Sequence, residues 1–185
     1  MLSDADHHDA QLLVDLINTH YLGDGSDMLA DAEARRWLHE HFGARQRVPA
    51  ASALQPLREL REGLRQLAIG NNGDQPDRSA IARADAALRH APLMVRLGAA
   101  DRPRAAAPTA GTGSAEEIIA VVALAFLASQ IGGVWRRVKA CAAPGCRWAF
   151  LDLSRNASRR WCDMAECGNR AKNRSWRERH PNQRS

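Results

Sequence analysis

Apolar side chains recur every three or four positions along most of the first 131 residues, a spacing that predicts amphipathic α-helices. The pattern predicts four of them, over about 9–20, about 26–42, about 52–69 and about 77–90. Ser26 or Asp27 is expected to cap the second helix, and Gly43 is expected to end it. We therefore expect the N-terminal part of the chain to be mainly helical.

The period changes after the fourth helix. Alternation over 93–97 predicts a strand, and 104–108 predicts a second, poorer strand at an edge. Ser114 and Glu117 stand at capping-box spacing and predict a fifth helix that ends at Ile131. Because this helix is apolar on most faces, we expect it to be the buried centre of the N-terminal domain.

The glycine pair at 132 and 133 breaks the fifth helix and predicts a domain boundary, with one domain over 1–131 and a second over 132–185. Two short strands and a basic helix are predicted in the second domain, over 134–139, 147–153 and about 167–180. The predicted fold class is α+β, with a mainly α-helical N-terminal domain that includes a small β-hairpin and a small C-terminal module.

All four cysteines lie in that module, as Cys141-x4-Cys146 and Cys162-x4-Cys167. Two close pairs can offer four thiolates to one tetrahedral ion, and an all-sulfur set favours one structural Zn²⁺ per chain. Disulfides, a redox pair and an iron–sulfur cluster fit less well, because the chain shows no secretory signal, C-x-x-C motif or group of three close cysteines. Each cysteine pair is expected to lie in a tight turn, called a knuckle. A knuckle, a hairpin and then a second knuckle at the start of a helix would resemble a treble-clef zinc finger.

The aromatic residues of the module have expected positions as well. Trp148 and Phe150 fall on one side of the predicted strand, and we expect them to form a small core over the metal. Trp161, next to a ligand, is interpreted as a packing residue. Trp176, near the chain end, fits either packing or stacking on a base.

Charge is divided unevenly along the chain. Residues 132–185 carry 13 Lys and Arg against 4 Asp and Glu, a formal charge of +9, whereas residues 1–131 carry 13 against 17, or −4. A basic module beside an acidic domain favours nucleic-acid binding at the C-terminal end, with a solubilising basic tail as the alternative.

A second basic feature lies on the third predicted helix, where Arg58, Arg61 and Arg65 share one face. This stripe could bind phosphates. The favoured interpretation is a solvated face paired with Glu59 and Glu62, because oppositely charged residues three or four apart are common on helix surfaces.

The residues around the cysteines resemble the CGNR zinc finger, named for Cys167-Gly168-Asn169-Arg170. The resemblance covers about residues 135–180 and includes the run Asp152-x-Ser154-Arg155-Asn156-x-Ser158-Arg159-Arg160-Trp161-Cys162. In that family the finger follows an N-terminal ABATE domain, described as a stress-induced transcription regulator, whose mark is an apolar segment ending in Asn-Thr. The segment from Leu13 to Thr19 is similar to that mark.

The resemblance implies that the finger binds DNA, expected to be double-stranded. Arg and Asn suit contacts with guanine and adenine edges, while other Arg and Lys hold phosphates. The candidate DNA-binding residues are Arg155, Asn156, Arg159, Arg160, Asn169, Arg170, Lys172, Asn173, Arg174 and Arg177. Asn18 and Thr19 are candidate ligand-binding residues, and the favoured alternative is that they satisfy local backbone groups at a helix end.

We therefore expect a zinc-finger DNA-binding transcription regulator of a stress response, whose N-terminal domain binds an effector ligand or mediates assembly. The alternative is a zinc-dependent RNA-binding or protein-interaction module without sequence-specific DNA binding. One finger offers a small footprint for a specific site, which favours a homodimer.

Other classes are not expected. No nucleophile–base pair, Walker loop or dinucleotide fingerprint appears, and zinc with four thiolates has no open position, so we do not expect an enzyme. The start lacks the features of a signal peptide, and the longest apolar run, 118–127, is too short for a bilayer. We expect a soluble, cytoplasmic protein that does not contact membranes.

Overall fold

The structure, a computed structural model, describes residues 4–30, 33–43, 49–89, 91, 93–96, 104–106 and 114–180. The helices are α1 (Asp4–Asn18), α2 (Ala34–Phe42), α3 (Gln55–Asn71), α4 (Arg78–Leu88), α5 (Ala115–Ile131) and α6 (Asn169–Arg179). The antiparallel strand pairs are β1 (His20–Tyr21) with β2 (Ser26–Asp27), β3 (Met94–Arg96) with β4 (Arg104–Ala106), and β5 (Val138–Ala140) with β6 (Ala149–Leu151). None of the described helices is both long and apolar enough to cross a membrane.

The predicted α+β class is confirmed, and most predicted elements are present. The expected hairpin after α4 is formed by β3 and β4, with Val95 opposite Ala105. The predicted strand position Leu97 and residues 107–108 lie outside the described residues.

The core is formed mainly by α1, α3 and α5, which bury the apolar stripes that their sequences predict. The most deeply buried side chains are Leu13, Leu16 and Ile17 of α1, Leu57 and Leu64 of α3, and Ile118 and Val122 of α5. Each such side chain stabilises the fold by about 1.5–3 kcal/mol relative to its exposed state. The helix α4 packs along α3, where a Cβ on Gly63 would lie only 2.2 Å from the Cβ of Ala84.

The helix ends follow local signals in the sequence. The Asp77 carboxylate caps α4 by accepting from the Ser79 backbone N–H at 2.8 Å, and the Ser114 hydroxyl caps α5 by accepting from the Glu117 backbone N–H at 3.2 Å. Gly43 ends α2 with a φ of 91°, a conformation that glycine adopts without steric cost. The predicted cap at Ser114 and the glycine stop are therefore confirmed.

The predicted start of α2 is wrong. Ser26 and Asp27 form β2, opposite Tyr21 and His20, and α2 begins only at Ala34. The Asp27 carboxylate accepts from Arg61 Nη1 at 2.6 Å and from Arg61 Nη2 at 2.9 Å. Asp27 therefore forms a tertiary ion pair with Arg61, whereas the sequence predicted that it would cap a helix.

The expectation that α5 forms the buried centre of the domain also needs correction. Ile118 and Val122 are fully buried against the other helices, but Leu127 is 46 % exposed and Ile131 is 79 % exposed. The helix therefore covers one side of the core: Leu127 and Ile131 face outward, while Ala125 is buried and Phe126 packs on Trp135.

The prediction that the arginine stripe of α3 faces solvent is also wrong, although the predicted pairing with Glu62 is present. Arg65 is fully buried, and its Nε donates to the Glu62 carboxylate at 3.0 Å. Its two Nη atoms donate to the backbone carbonyls of Ile17 at 2.7 Å, His20 at 2.8 Å and Arg147 at 3.0 Å. This guanidinium joins α3 to the end of α1, to β1 and to the cysteine-rich module.

Arg61 lies beside Arg65 and is buried in the same way. Its Nη1 donates to Thr19 Oγ1 at 3.2 Å, and its Nε donates to Glu62 at 2.9 Å. Burial by itself raises the pKa of the Glu62 carboxyl, but the charges and hydrogen bonds of Arg65, His20 and Arg61 outweigh it and lower the pKa. Glu62 is therefore ionised and compensates the two buried cations.

The β5–β6 hairpin packs into the same core as the helices. Val138 stands opposite Leu151 in the strand register, and both side chains are buried with Val134 and Trp135. Residues 134–151 thus bury their apolar side chains against the N-terminal helices, mainly against α1 and α3.

Three asparagine side chains, which we call the amide clamp (Asn18, Asn71 and Asn72), hold the backbone of the cysteine-rich module. The Asn18 side chain accepts from the Ala149 N–H at 2.8 Å and donates to the Ala149 carbonyl at 3.0 Å. It satisfies both backbone groups of that residue, as a neighbouring strand would.

The other two members of the clamp follow each other at the end of α3. Asn71 Nδ2 donates to the carbonyls of Trp135 at 2.8 Å and Val138 at 2.9 Å. Asn72 Nδ2 donates to the carbonyls of Ala140 at 2.7 Å and Arg160 at 2.9 Å. The clamp therefore fixes both strands of the hairpin and the segment that follows them.

Replacing Arg65 by alanine removes the donor to three backbone carbonyls and one of the two buried guanidinium groups that pair with Glu62. We expect Arg65→Ala to lower the free energy of unfolding by about 3–5 kcal/mol, because a broken buried ion pair leaves uncompensated charge. The control is Arg83→Ala on α4, whose exposed pair with Glu59 should contribute about 0–1 kcal/mol. Urea unfolding of the zinc-loaded protein measures both, and equal losses would contradict the central role of Arg65.

Candidate metal centre and basic surface

The four cysteines converge on one point. Their Sγ atoms all lie within 4.8 Å of one another, with Cys146 3.6 Å and Cys167 3.8 Å from the sulfur of Cys162. Four thiolates at about 2.3 Å from a tetrahedral zinc ion lie about 3.8 Å apart, so the spacing fits that ion. None of the four is in a disulfide. The predicted structural zinc site is confirmed.

The first knuckle is built by the turn that leaves β5. The Cys141 N–H donates to the Trp148 carbonyl at 2.9 Å, and the Cys146 N–H donates to the Ala143 carbonyl at 2.9 Å. Arg147 adopts a φ of 50° directly after the second cysteine, which turns the chain into β6. Both sulfurs are thereby presented from one tight loop.

The second knuckle stands at the beginning of α6. The Asp163 carboxylate accepts from the Glu166 N–H at 2.8 Å and caps a helical turn over Met164–Gly168 that continues into α6. This turn places Cys167 at the start of the helix. The first knuckle lies within the β5–β6 hairpin and the second at the start of α6, so the finger has the hairpin and the helix start of the treble-clef prediction, with the first knuckle inside the hairpin.

The small aromatic core predicted over the metal is wrong. Trp148 is 38 % exposed and packs edge to face on Tyr21 at 5.8 Å, while Phe150 lies under the Arg159 guanidinium at 4.8 Å. The apolar contacts of the cysteine cluster come from Ala143 and Trp161. The hairpin is anchored in the helical core, so its aromatic residues are not needed above the metal, and Trp161 packs as predicted.

The thiols differ in their surroundings. Burial, followed by the neighbouring cysteines, raises the pKa of Cys162. Burial also raises the pKa of Cys167, but the hydrogen bond from Arg170 Nη2, at 3.1 Å from Sγ, together with those of the other three cysteines outweighs it and lowers the pKa. Arg170 thus favours a thiolate at Cys167, the ionised form that a zinc ion binds.

A buried ion pair shapes the loop between the knuckles. Lys139 Nζ lies 2.8 Å from the Asp152 carboxylate and also donates to the Arg159 carbonyl at 3.1 Å. The carboxylate accepts from the backbone N–H groups of Ser154 at 3.0 Å and Arg159 at 2.9 Å. Burial opposes ionisation, but the hydrogen bonds from Lys139 and Ser154 outweigh it and lower the pKa of Asp152 to about 2.

Sequence reasoning missed the structural roles of Lys139 and Asp152. The spacing Asp152-x-Ser154 is the one available signal, because an Asp two residues before a backbone N–H commonly accepts from it. Nothing in the sequence pairs Asp152 with a lysine thirteen residues earlier, since that contact follows from the strand register.

The candidate DNA-binding residues are all exposed. Four have partners within the chain: Arg159 donates to the Trp161 and Cys162 carbonyls, Arg160 lies 3.7 Å from Asp74, Asn169 donates to Ala165, and Arg170 donates to Cys167. The other six side chains make no hydrogen bond or ion pair within the described part of the chain: Arg155, Asn156, Lys172, Asn173, Arg174 and Arg177.

The two candidate ligand-binding residues have different surroundings. Thr19 is buried, and its hydroxyl donates to the Leu16 carbonyl at 2.7 Å, which is the local role that the sequence favoured. Asn18 satisfies a backbone group too, but that of Ala149, 131 positions away. Asn18 also borders an open groove between α1, α2 and β6.

A four-thiolate site between a hairpin and a helix start defines a zinc-finger protein. Residues 137–180 match the CGNR zinc finger, and residues 10–131 match ABATE, described as "Putative stress-induced transcription regulator". The chain belongs to the ABATE family and carries a CGNR zinc finger. No curated protein matches the chain at a significant level.

Removing zinc with a chelator should loosen the second knuckle and α6 but leave the β5–β6 hairpin protected. The hairpin is held by the helical core and the amide clamp, whereas Cys162 and Cys167 depend on the metal. Hydrogen exchange followed by mass spectrometry should show lost protection within 160–180 and retained protection within 138–151. The Cys162→Ser variant should behave alike, and uniform loss over both segments would contradict this division.

The contact between Arg170 and Cys167 gives a second prediction. We expect Arg170→Ala to weaken zinc binding by about 10–100-fold, because partners of the ligands tune metal affinity. Arg174→Ala, one turn further along the same helix face, is the matched control and should leave zinc affinity unchanged. Competition with a chromogenic chelator measures both variants, and equal effects would argue against a specific role of Arg170.

Proposed function

We propose that the protein is a transcription regulator whose zinc finger binds duplex DNA and whose N-terminal domain binds an effector ligand. The observation that carries the proposal is α6, an eleven-residue helix of which no residue is buried. A helix that is polar on all sides lacks a core to join and is suited to contact another molecule.

The shape and charge of α6 fit the major groove of DNA. Arg170, Arg174 and Arg177 recur at spacing four and three, so they lie along one face of the helix. A helix about 10–12 Å across enters a major groove about 12 Å wide, and arginine is suited to guanine edges there. Lys172 lies on a neighbouring face, where it can reach phosphates.

The loop between the knuckles supplies a second basic set. Arg155 and Asn156 are exposed, and the buried pair of Lys139 and Asp152 fixes the loop from which they project. Arg159 is engaged with the carbonyl of Cys162, so we assign it to positioning the loop rather than to reading bases. Arg155 and Asn156 remain the candidates for DNA contact on this side.

A second candidate function is binding of single-stranded nucleic acid. Trp176 is exposed on α6 and stacks on His180, with 4.9 Å between ring centroids. Exposed aromatic side chains beside basic residues are the usual platform for unstacked bases. Tighter binding to single strands than to duplex would favour this alternative over the regulator.

Three further parts of the proposal follow from the same site. We do not assign a catalytic role, because zinc held by four thiolates has no open position for a substrate. We place the protein in the cytoplasm, where thiols stay reduced.

We also propose that two chains bind one DNA site, since one finger is a small footprint, and sedimentation of a 1:1 complex would contradict this.

The test is selection of genomic duplex fragments by the purified, zinc-loaded full chain. A short enriched motif is the expected result. The double variant Cys141→Ser, Cys162→Ser should enrich none, because it lacks the metal that organises the finger. If the intact protein also enriches no motif, the regulator proposal fails.

The basic residues of α6 give a quantitative prediction. Arg174→Ala combined with Arg177→Ala should flatten the dependence of log K on log salt by up to about 2, because each lost phosphate contact changes that slope by about 0.9. Arg78→Ala, an exposed arginine on α4, is the control and should leave the slope unchanged. Titration of the selected duplex at several salt concentrations measures the slope, and an unchanged slope in the double variant would exclude Arg174 and Arg177 from phosphate contact.

A further inference from the structure

An open groove of about 640 Å³ lies where the N-terminal helices meet the zinc finger. Helix α1 contributes Asp15 and Asn18 to it, α2 contributes Trp37, and the finger contributes Trp148 and Phe150. Its volume falls in the range of small-molecule sites, about 300–1,000 Å³. The groove is therefore large enough for a drug-sized ligand that touches both parts of the chain at once.

We propose that this groove binds an organic cation with a flat, apolar body and that such a ligand is the effector of the protein. The effector role rests on the proposed function, whereas the binding site itself does not. Neither the metal site nor the basic surface uses the side chains that define the groove, those of Asp15, Trp37 and Trp148, and Trp148 contributes only its backbone to the first knuckle.

The charge of the residues that line the groove favours a positively charged ligand. Among the described residues that line the groove, and with histidine neutral, Asp15 carries the only formal charge. Its carboxylate accepts from Gln11 Nε2 at 2.8 Å and lies 3.5 Å from His41 Nε2, yet 37 % of the side chain stays accessible. A cation therefore finds an accessible carboxylate in the groove, whereas none of these lining residues is a lysine or an arginine.

The aromatic side chains of the groove favour a ligand with a flat, apolar body. Trp148 is 38 % exposed at the groove wall, whereas Trp37 of α2 is buried beneath the groove with His41 stacked on its ring at 4.4 Å. Indole rings attract cations through their electron-rich faces, and flat apolar ligands bury more area against them than aliphatic ones. The accessible indole of Trp148 and the Asp15 carboxylate together describe a site for an aromatic cation.

The groove adjoins contacts that fix the finger. Asn18 holds both backbone groups of Ala149, and the Phe150 ring supports the guanidinium of Arg159. Arg159 in turn donates to the carbonyl of the ligand residue Cys162. A molecule that shifts Asn18 or Phe150 therefore acts one or two contacts from the metal site, which gives its binding a route to the DNA-binding surface.

The experiment compares two fluorescent xanthene dyes of similar shape and opposite charge, cationic pyronin Y and anionic fluorescein. Each is titrated with the zinc-loaded full chain at about 0.15 M salt, and dye anisotropy reports binding. Pyronin Y should bind one site per chain at least about tenfold more tightly than fluorescein, because only the cation gains from Asp15. Equal affinity of the two dyes would overturn the proposal.

Variants locate the site. Asp15→Asn keeps the shape of the side chain and removes its charge, and we expect about fivefold weaker binding of pyronin Y. Asp85→Asn, the same change on the exposed face of α4, is the matched control and should leave binding unchanged. Trp148→Ala should weaken the binding of pyronin Y as well. Loss by equal factors in Asp15→Asn and Asp85→Asn would show that the dye senses overall charge and would exclude the groove.

Coupling is measured separately on the duplex motif that selection enriches. Because a flat aromatic cation also binds duplex DNA directly, the intact chain and Asp15→Asn are compared at one pyronin Y concentration, and the dye should change the duplex Kd of the intact chain more than that of Asp15→Asn. An equal change in both would withdraw the effector role. If no motif is enriched but dye binding still depends on Asp15, then the DNA-binding proposal fails while the groove stands as a ligand site.

Discussion

The Arg65 guanidinium lies at the junction of three segments, each of which offers it a backbone carbonyl. The last turn of α1 provides Ile17, β1 provides His20, and the first knuckle provides Arg147. Carbonyls at a buried helix end need a donor, and this side chain supplies it to three segments at once. Arg65 thereby fixes the end of α1, from which Asn18 reaches Ala149 and borders the groove.

Two different forces stabilise the zinc finger. The β5–β6 hairpin belongs to the helical core, where Val138 and Leu151 are buried. The segment from Arg160 to α6 has little apolar surface to bury and is organised by the metal and by local caps such as Asp163. Zinc therefore orders mainly the part of the finger that carries the basic residues.

Local signals in the sequence predicted most of the elements and the metal site. Helical periodicity, the capping box at Ser114 and the spacing of the cysteines each depend on neighbouring residues alone. Arg61 and Arg65 were misjudged because a glutamate one turn away gives the same pattern on a surface as in a buried network. Only the packing of α1 and the hairpin against α3 decides between the two.

The amide clamp limits how such a protein could have arisen from parts. A finger moved alone onto another body would expose Val138 and Leu151 and would leave both backbone groups of Ala149 without partners. Its donor side chains lie on α1 and α3, more than sixty positions earlier in the chain. The two halves are therefore not interchangeable modules, and domain shuffling has to carry Asn18, Asn71 and Asn72 along with the cysteines.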